Sequence, residues 1–178
     1  MKIIKTIFDS ALLIEMPKFD DERGSFIKYF DEKSFAEAGI RSCFKESYFS
    51  VSNKDVIRGM HFQVPPADHE KLVSVSFGAV MDLVLDIRKD SPSYGKAESL
   101  ILSADNHYAL YIPKGFAHGF RSLQDGTVMN YLVATTHSPE HDMAIRWDSF
   151  GFNWEIEKPI MSQRDKEAIA LSEFESPF

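Results

Sequence analysis

Cysteine is almost absent from this chain of 178 residues: Cys43 is the single one. A lone thiol closes no internal disulfide, so the fold must rest on its core, and the sequence suits a reducing compartment better than a secreted scaffold. Long apolar runs are missing as well. The opening "MKIIKTIFDSALLIEM" mixes lysines with apolar residues, but Asp9 and Glu15 interrupt it and no small-residue cleavage site follows. Neither a signal peptide nor a membrane span is therefore expected, and a cytoplasmic location is. Positive charge is in deficit, with 20 Lys and Arg against 27 Asp and Glu and a net charge of -7. That balance argues against sequence-independent binding to nucleic acid or an anionic membrane. A local cluster of arginine and lysine is still enough to hold a phosphate group. Repeats, low-complexity tracts and linkers are lacking too, which points to a single domain over residues 1–178.

What the chain does have is 44% hydrophobic and 13% aromatic residues, enough for a full core. "KLVSVSF" (71–77) alternates Val73, Val75 and Phe77 with Ser74 and Ser76, the period of two of a half-buried strand. After Gly78, "AVMDLVLDI" continues in the same vein, so the two read as a hairpin. "ALLIEM", "SFIKYF", "SYFSVS", "ESLILS", "YALYI" and "TVMNYLVATT" are further strand candidates, separated by "DDERG", "VPPADHE", "KDSPSYG", "SADNH" and "LQDG". Such spacing describes an antiparallel, all-β sandwich or barrel. Helical signals are few. "DEKSFAEAG" (31–39) places Phe35 on one face and Gly39 as a stop, and "SQRDKEAIA" offers Ser162 as an N-cap with Asp165 three residues on.

Some polar residues do not fit this pattern. "IRGMHFQ" (57–63) buries Ile57, Met60 and Phe62 yet carries His61, and "YIPKGFAHGF" (111–120) carries His118 within a second apolar stretch. Either histidine alone fits a rim or core residue satisfied by a couple of hydrogen bonds. Two together suggest a polar interior. Arg58 and Lys71 read as strand ends, Tyr131 as a core aromatic whose hydroxyl reaches the rim, and Asp165 as a first-turn helix acid favoured by the dipole.

Six segments resemble, in order and spacing, the dTDP-4-dehydrorhamnose 3,5-epimerase family: "D-x-R-G-x-F" at Asp21 to Phe26, "RGMHFQ" at 58–63, "HEKLVSV" at 69–75, "MDLVLDIRKDSPSYG" at 81–95, "LYIPKGFAHGF" at 110–120 and "SQRD" at 162–165. The resemblance implies a cupin-type jelly-roll barrel, a homodimer, no metal and no cofactor. It also implies a pocket for a nucleotide-diphosphate-linked 4-keto-6-deoxy sugar, in deoxysugar and surface polysaccharide biosynthesis. Protons on C3 and C5 of such a sugar are acidified by the neighbouring ketone, so inversion asks for a base on one face, stabilisation of the enolate, and a donor on the other face. By resemblance, His61 is the base, since the ordinary pKa of a histidine suits proton abstraction near neutral pH. Asp165 orients it. Lys71 is the cation near the enolate, and Tyr131 is the donor. Arg23 and Arg58 match the diphosphate arginines, whose forked guanidinium suits phosphate oxygens. His118 and Arg164 match further ligand contacts, and Phe26 matches an aromatic that stacks near the base, in the family often from the partner subunit.

Five positions depart from the family pattern. Six residues after Tyr131 the family commonly has a second active-site tyrosine, and here His137 stands in "TTHSP". That leaves open whether C3, C5 or both are inverted. Glu46 and Tyr48 replace a glutamine and an asparagine, and Lys28 replaces a glutamate, all at positions expected around the nucleotide, so thymidine is not assumed. Asp142 near a usual glutamate is conservative. Two other readings stay open: a metal-dependent cupin isomerase or dioxygenase using His61, His118 and Glu70, although Gln63 stands where a second histidine is usual, and a non-catalytic sugar-nucleotide binder.

Overall fold

Lys71–Phe77 is a strand as the alternation requires, with Lys71, Val73 and Val75 turned to one buried face. In the computed structural model, which describes residues 1–40 and 43–178, it is the seventh of the strands. The others are β1 (Lys2–Ile7), β2 (Ala11–Glu15), β3 (Lys18–Asp21), β4 (Gly24–Ile27), β5 (Glu46–Ser52), β6 (Ile57–Gln63), β8 (Ala79–Asp86), β9 (Ala97–Ser103), β10 (Tyr108–Ile112), β11 (Phe116–Ser122), β12 (Thr127–Val133) and β13 (Asp142–Ala144). A six-stranded sheet runs β1-β2-β10-β7-β12-β5 and faces a five-stranded sheet, β13-β6-β11-β8-β9. Every ladder in these sheets is antiparallel. The result is a cupin-type jelly roll, the all-β barrel expected, with two short helices, α1 (Glu32–Glu37) and α2 (Gln163–Lys166). Ser162 caps α2 as expected, accepting from the Asp165 amide, and at the start of α1 the Asp31 side chain accepts from the Ser34 amide.

The hairpin expected across Gly78 does not form. β7 pairs with β10 and β12, whereas β8 pairs with β9 and β11, so the chain crosses between sheets at this glycine. Its φ of +83° and the Thr127 side chain 2.5 Å from where a Cβ would stand make this a corner open to glycine. Alternating hydrophobicity marks a strand but not its partner, which is why a corner and a hairpin look alike in sequence.

Three apolar clusters hold the layers. Val73, Val75, Val80, Val84, Leu110, Phe116, Phe120 and Met129 fill the space between the sheets. Behind the five-stranded sheet, Ile57, Met60, Phe62, Leu83 and Leu85 pack under the C-terminal segment, with Trp154 and Phe174 buried. Behind the six-stranded sheet, Ile14, Leu72 and Tyr111 are covered by Phe35 of α1 and by Phe30 and Phe44. Each buried aromatic removes a large apolar area from water, the main favourable contribution to folding. The two outer coverings leave one end of the barrel interior for polar side chains.

Candidate active site

Two glycines set the site. Gly59 of β6 and Gly119 of β11 lie back to back, and a Cβ on Gly59 would stand 2.5 Å from the Gly119 Cα. The ladder shifts register here, between His118 and Phe120, and His61 comes to pair with His118 across the two strands. Met60 and Phe62 face the outer cluster, so the intervening His61 side chain points inward. Its Nε2 lies 2.7 Å from Oδ1 of Asp165. The aspartate reaches it from α2, on a segment that runs beside the start of β6, where the Ile57 amide donates to the Ile160 carbonyl. Burial pushes the Asp165 carboxyl up, but His61, the Ser162 hydroxyl and the Gly59 amide outweigh it and hold its pKa below the usual value. With the carboxylate fixed, Nε2 carries the proton and Nδ1 keeps the lone pair. The imidazole is 33% exposed while Asp165 is 4% exposed, so the ring is open and its anchor is sealed.

Lys71 lies at the inner end of β7, almost fully buried, and donates from Nζ to the His61 carbonyl at 3.0 Å. Burial lowers its pKa to about 8, against the pull of Asp142 and Asp82. Tyr131 faces inward from β12. Its ring stacks on Tyr48 of β5 at 4.7 Å and meets His118 edge-on at 6.3 Å. Burial pushes the Tyr131 hydroxyl well above its ordinary value.

A cavity of about 370 Å³ opens beside His61, lined among others by Lys71, Tyr48, Glu46, His137, Asp142 and Arg164. Asp142 binds Arg164 at 2.8 Å and His137 Nε2 at 3.2 Å, and the His137 amide donates to Glu46 at 2.9 Å. Burial raises the Asp142 carboxyl, but Arg164 and His137 lower it further, so it remains a carboxylate. The sequence placed Glu46 and Tyr48 around a nucleotide. In the structure both border the same cavity as His61.

Other expected residues lie elsewhere. Arg58 flanks the far side of His61, donating to Ser52 Oγ and the Val51 carbonyl. His118 does not reach the cavity: its Nε2 lies 2.9 Å from Asp82 Oδ2, and both side chains are buried. Arg23, Phe26 and Lys28 belong to the β3–β4 hairpin and the residues after it, where Arg23 pairs with Asp21 and Lys28 with Asp31. Phe26 is 62% exposed. One cavity residue escaped sequence reasoning: His69, which bonds Thr135 at 2.7 Å, with Gln63 3.1 Å away. Burial, then Lys71, lowers its pKa to about 4 and keeps it neutral. Its spacing of two from Lys71 was the available signal, because residues i and i+2 share a face. Among the described residues no three His, Cys, Asp or Glu side chains gather as a metal-binding group. The nitrogen that His61 or His118 would offer a metal through Nε2 is already turned to an aspartate.

Fold and site together define a cupin-type barrel built for proton transfer, with a carboxylate-anchored imidazole at its open end. Residues 5–173 match the family profile of dTDP-4-dehydrorhamnose 3,5-epimerase. A protein of that name from Methanothermobacter thermautotrophicus is 38% identical, covering 97% of this chain and 95% of its own. The structure of the Bacillus anthracis dTDP-4-dehydrorhamnose 3,5-epimerase, with TDP and PPi bound, superposes with a TM-score of 0.93 at 38% identity, covering 95% of this chain and 98% of the other. The Legionella pneumophila dTDP-6-deoxy-D-glucose-3,5-epimerase, in complex with dTDP-4-keto-L-rhamnose, gives a TM-score of 0.92 at 35% identity, covering 98% and 94%. The chain belongs to the dTDP-4-dehydrorhamnose 3,5-epimerase family.

Proposed function

We propose that this protein is an epimerase that inverts C3, C5 or both in a nucleotide-diphosphate-linked 4-keto-6-deoxy sugar. The observation that carries the reading is the His61–Asp165 pair at 2.7 Å, sealed on the carboxylate side and open on the imidazole side. Nδ1 of His61 takes the proton from a carbon beside the ketone. Electrons of the C–H bond then form a double bond to C4, and the C4 oxygen becomes an enolate. Lys71, charged below about 8, stabilises that oxygen more strongly in a water-poor pocket than it would in bulk water. Tyr131 returns a proton to the opposite face, its burial-raised pKa keeping the phenol protonated until the carbanion-like centre demands it. Arg58, Arg164 and the partner's copy of the hairpin carrying Arg23 and Phe26 hold the nucleotide diphosphate.

A homodimer follows from the same reading. Phe49, Val51 and Phe77 stand exposed on strands of the six-stranded sheet, and Phe19 and Phe26 stand exposed on the hairpin. Apolar surface of this kind marks an interaction face, and pairing through it brings the hairpin towards a partner's cavity. The single cysteine supports a cytoplasmic site of action, where a free thiol stays reduced.

Turnover of dTDP-, CDP-, GDP- and UDP-linked 4-keto-6-deoxy sugars tests the function and the nucleotide together. Inversion of at least one of these at C3 or C5 is expected, with one nucleotide clearly preferred. Failure with all four would overturn the reading. A metal-dependent reaction is disfavoured because His61 and His118 are each committed to a carboxylate in separate pairs. A pure binder leaves the open imidazole without a purpose.

A further inference from the structure

We propose that Tyr48 is a second proton donor of this site, serving one of the two carbons that flank the ketone while Tyr131 serves the other. The inference rests on the epimerase reading above and deepens it.

Inverting both carbons with a single base requires a donor within reach of each on the face opposite His61. Position 137 supplies no phenol, and its imidazole lies at the rim, bonded to an Asp142 that Arg164 also holds. The second phenol comes from a different strand. Tyr48 pairs directly with Tyr131 in the β5–β12 register, and the two rings stack at 4.7 Å with 18° between their planes. The stack fixes two hydroxyl-bearing rings side by side on one wall of the barrel. Tyr48 lines the same cavity as His61 and Lys71.

The two phenols answer to different neighbours. Glu46 and Asp142 bear on Tyr48, whereas Asp82 and Arg58 bear on Tyr131. Tyr48 borders the cavity beside Glu46 and Asp142, whereas the Tyr131 ring meets the buried His118 edge-on. Partial withdrawal of the ring from water, aided by Glu46 and Asp142, raises the Tyr48 pKa to about 12, so it enters the reaction protonated. At 44% exposure Tyr48 also meets solvent, which lets water restore its proton after each turnover. A single inversion then balances as follows. His61 removes the carbon-bound proton, the enolate carbon takes a proton from the phenol O–H on the other face, and the phenolate and imidazolium re-equilibrate with water. No oxidant, reductant or co-reactant is consumed.

The competing explanation is that Tyr48 only supports the Tyr131 ring by stacking. Tyr48→Phe separates the two, because it keeps the ring and removes the proton. Wild type, Tyr48→Phe and Tyr131→Phe are each incubated in heavy water with the preferred 4-keto-6-deoxy sugar nucleotide, and label and configuration at C3 and C5 are read by NMR. Wild type is expected to invert and label both carbons. Tyr48→Phe is expected to slow inversion at one carbon by about 100-fold while the other inverts within about threefold of wild type. Tyr131→Phe should show the complementary pattern. The proposal is overturned if Tyr48→Phe inverts both carbons at the wild-type rate, or if wild type inverts only one. Wild type that takes up no label at either carbon would instead sink the epimerase reading, and this proposal with it.

Discussion

Two histidine–aspartate pairs lie side by side in this barrel, and only one opens to a cavity. His61 and His118 face each other across the β6–β11 ladder, each with Nε2 about a hydrogen bond from a carboxylate. Asp82 comes from the strand next to His118, and neither member of that pair reaches solvent. Asp165 comes from outside the sheet, on a short helix, and its approach leaves one edge of the His61 ring open. An anchored imidazole becomes a base only where its second nitrogen meets a cavity. Where both partners are sealed, the same pair braces the wall, here beneath the edge of the Tyr131 ring.

That contrast can be broken by mutation. The largest effect is expected from His61→Ala, a loss of turnover of about 1,000-fold or more, with sugar-nucleotide affinity within a few-fold of wild type by calorimetry. Asp165→Asn comes next. It keeps the shape but removes the charge that holds Nε2–H, and steady-state rates should fall about 100-fold. His118→Ala should act on stability instead. It leaves Asp82 buried without its partner, at a cost of about 3 kcal/mol, seen as a lower denaturation midpoint, while the rate per folded molecule stays within about tenfold of wild type. Equal rate losses from His61→Ala and His118→Ala would dissolve the distinction.

The smallest effect is in pH dependence. Lys71 loses its charge as pH rises through about 8, so the rate should fall above that point, and Lys71→Met should abolish this limb of the profile. Stability moves the other way. Between about 8 and the unfolded value of 10.5 the unfolded chain binds more proton at this lysine than the folded one, so raising the pH there adds stability as it removes activity.

Much of this was legible before the structure. The alternation in 71–77 gave β7, Phe35 and Gly39 marked α1, the Ser162 cap marked α2, and the resemblance named His61, Lys71, Tyr131 and Asp165, of which the structure joins Asp165 and Lys71 to His61 by hydrogen bonds. What escaped has physical reasons. Strand periodicity does not name a partner, so the corner at Gly78 read as a hairpin. Burial of His118 depends on Asp82, 36 residues away in sequence and adjacent only once β8 and β11 pair. The stacking of Tyr48 on Tyr131 arises from the β5–β12 register, which no local pattern encodes.

Hydrogen exchange at carbon tests the base most directly. With a 4-keto-6-deoxy sugar nucleotide in heavy water, wild-type protein should wash deuterium into C3, C5 or both, and His61→Asn should show no exchange above background while still binding the sugar nucleotide. Exchange by His61→Asn at near the wild-type rate would contradict the account.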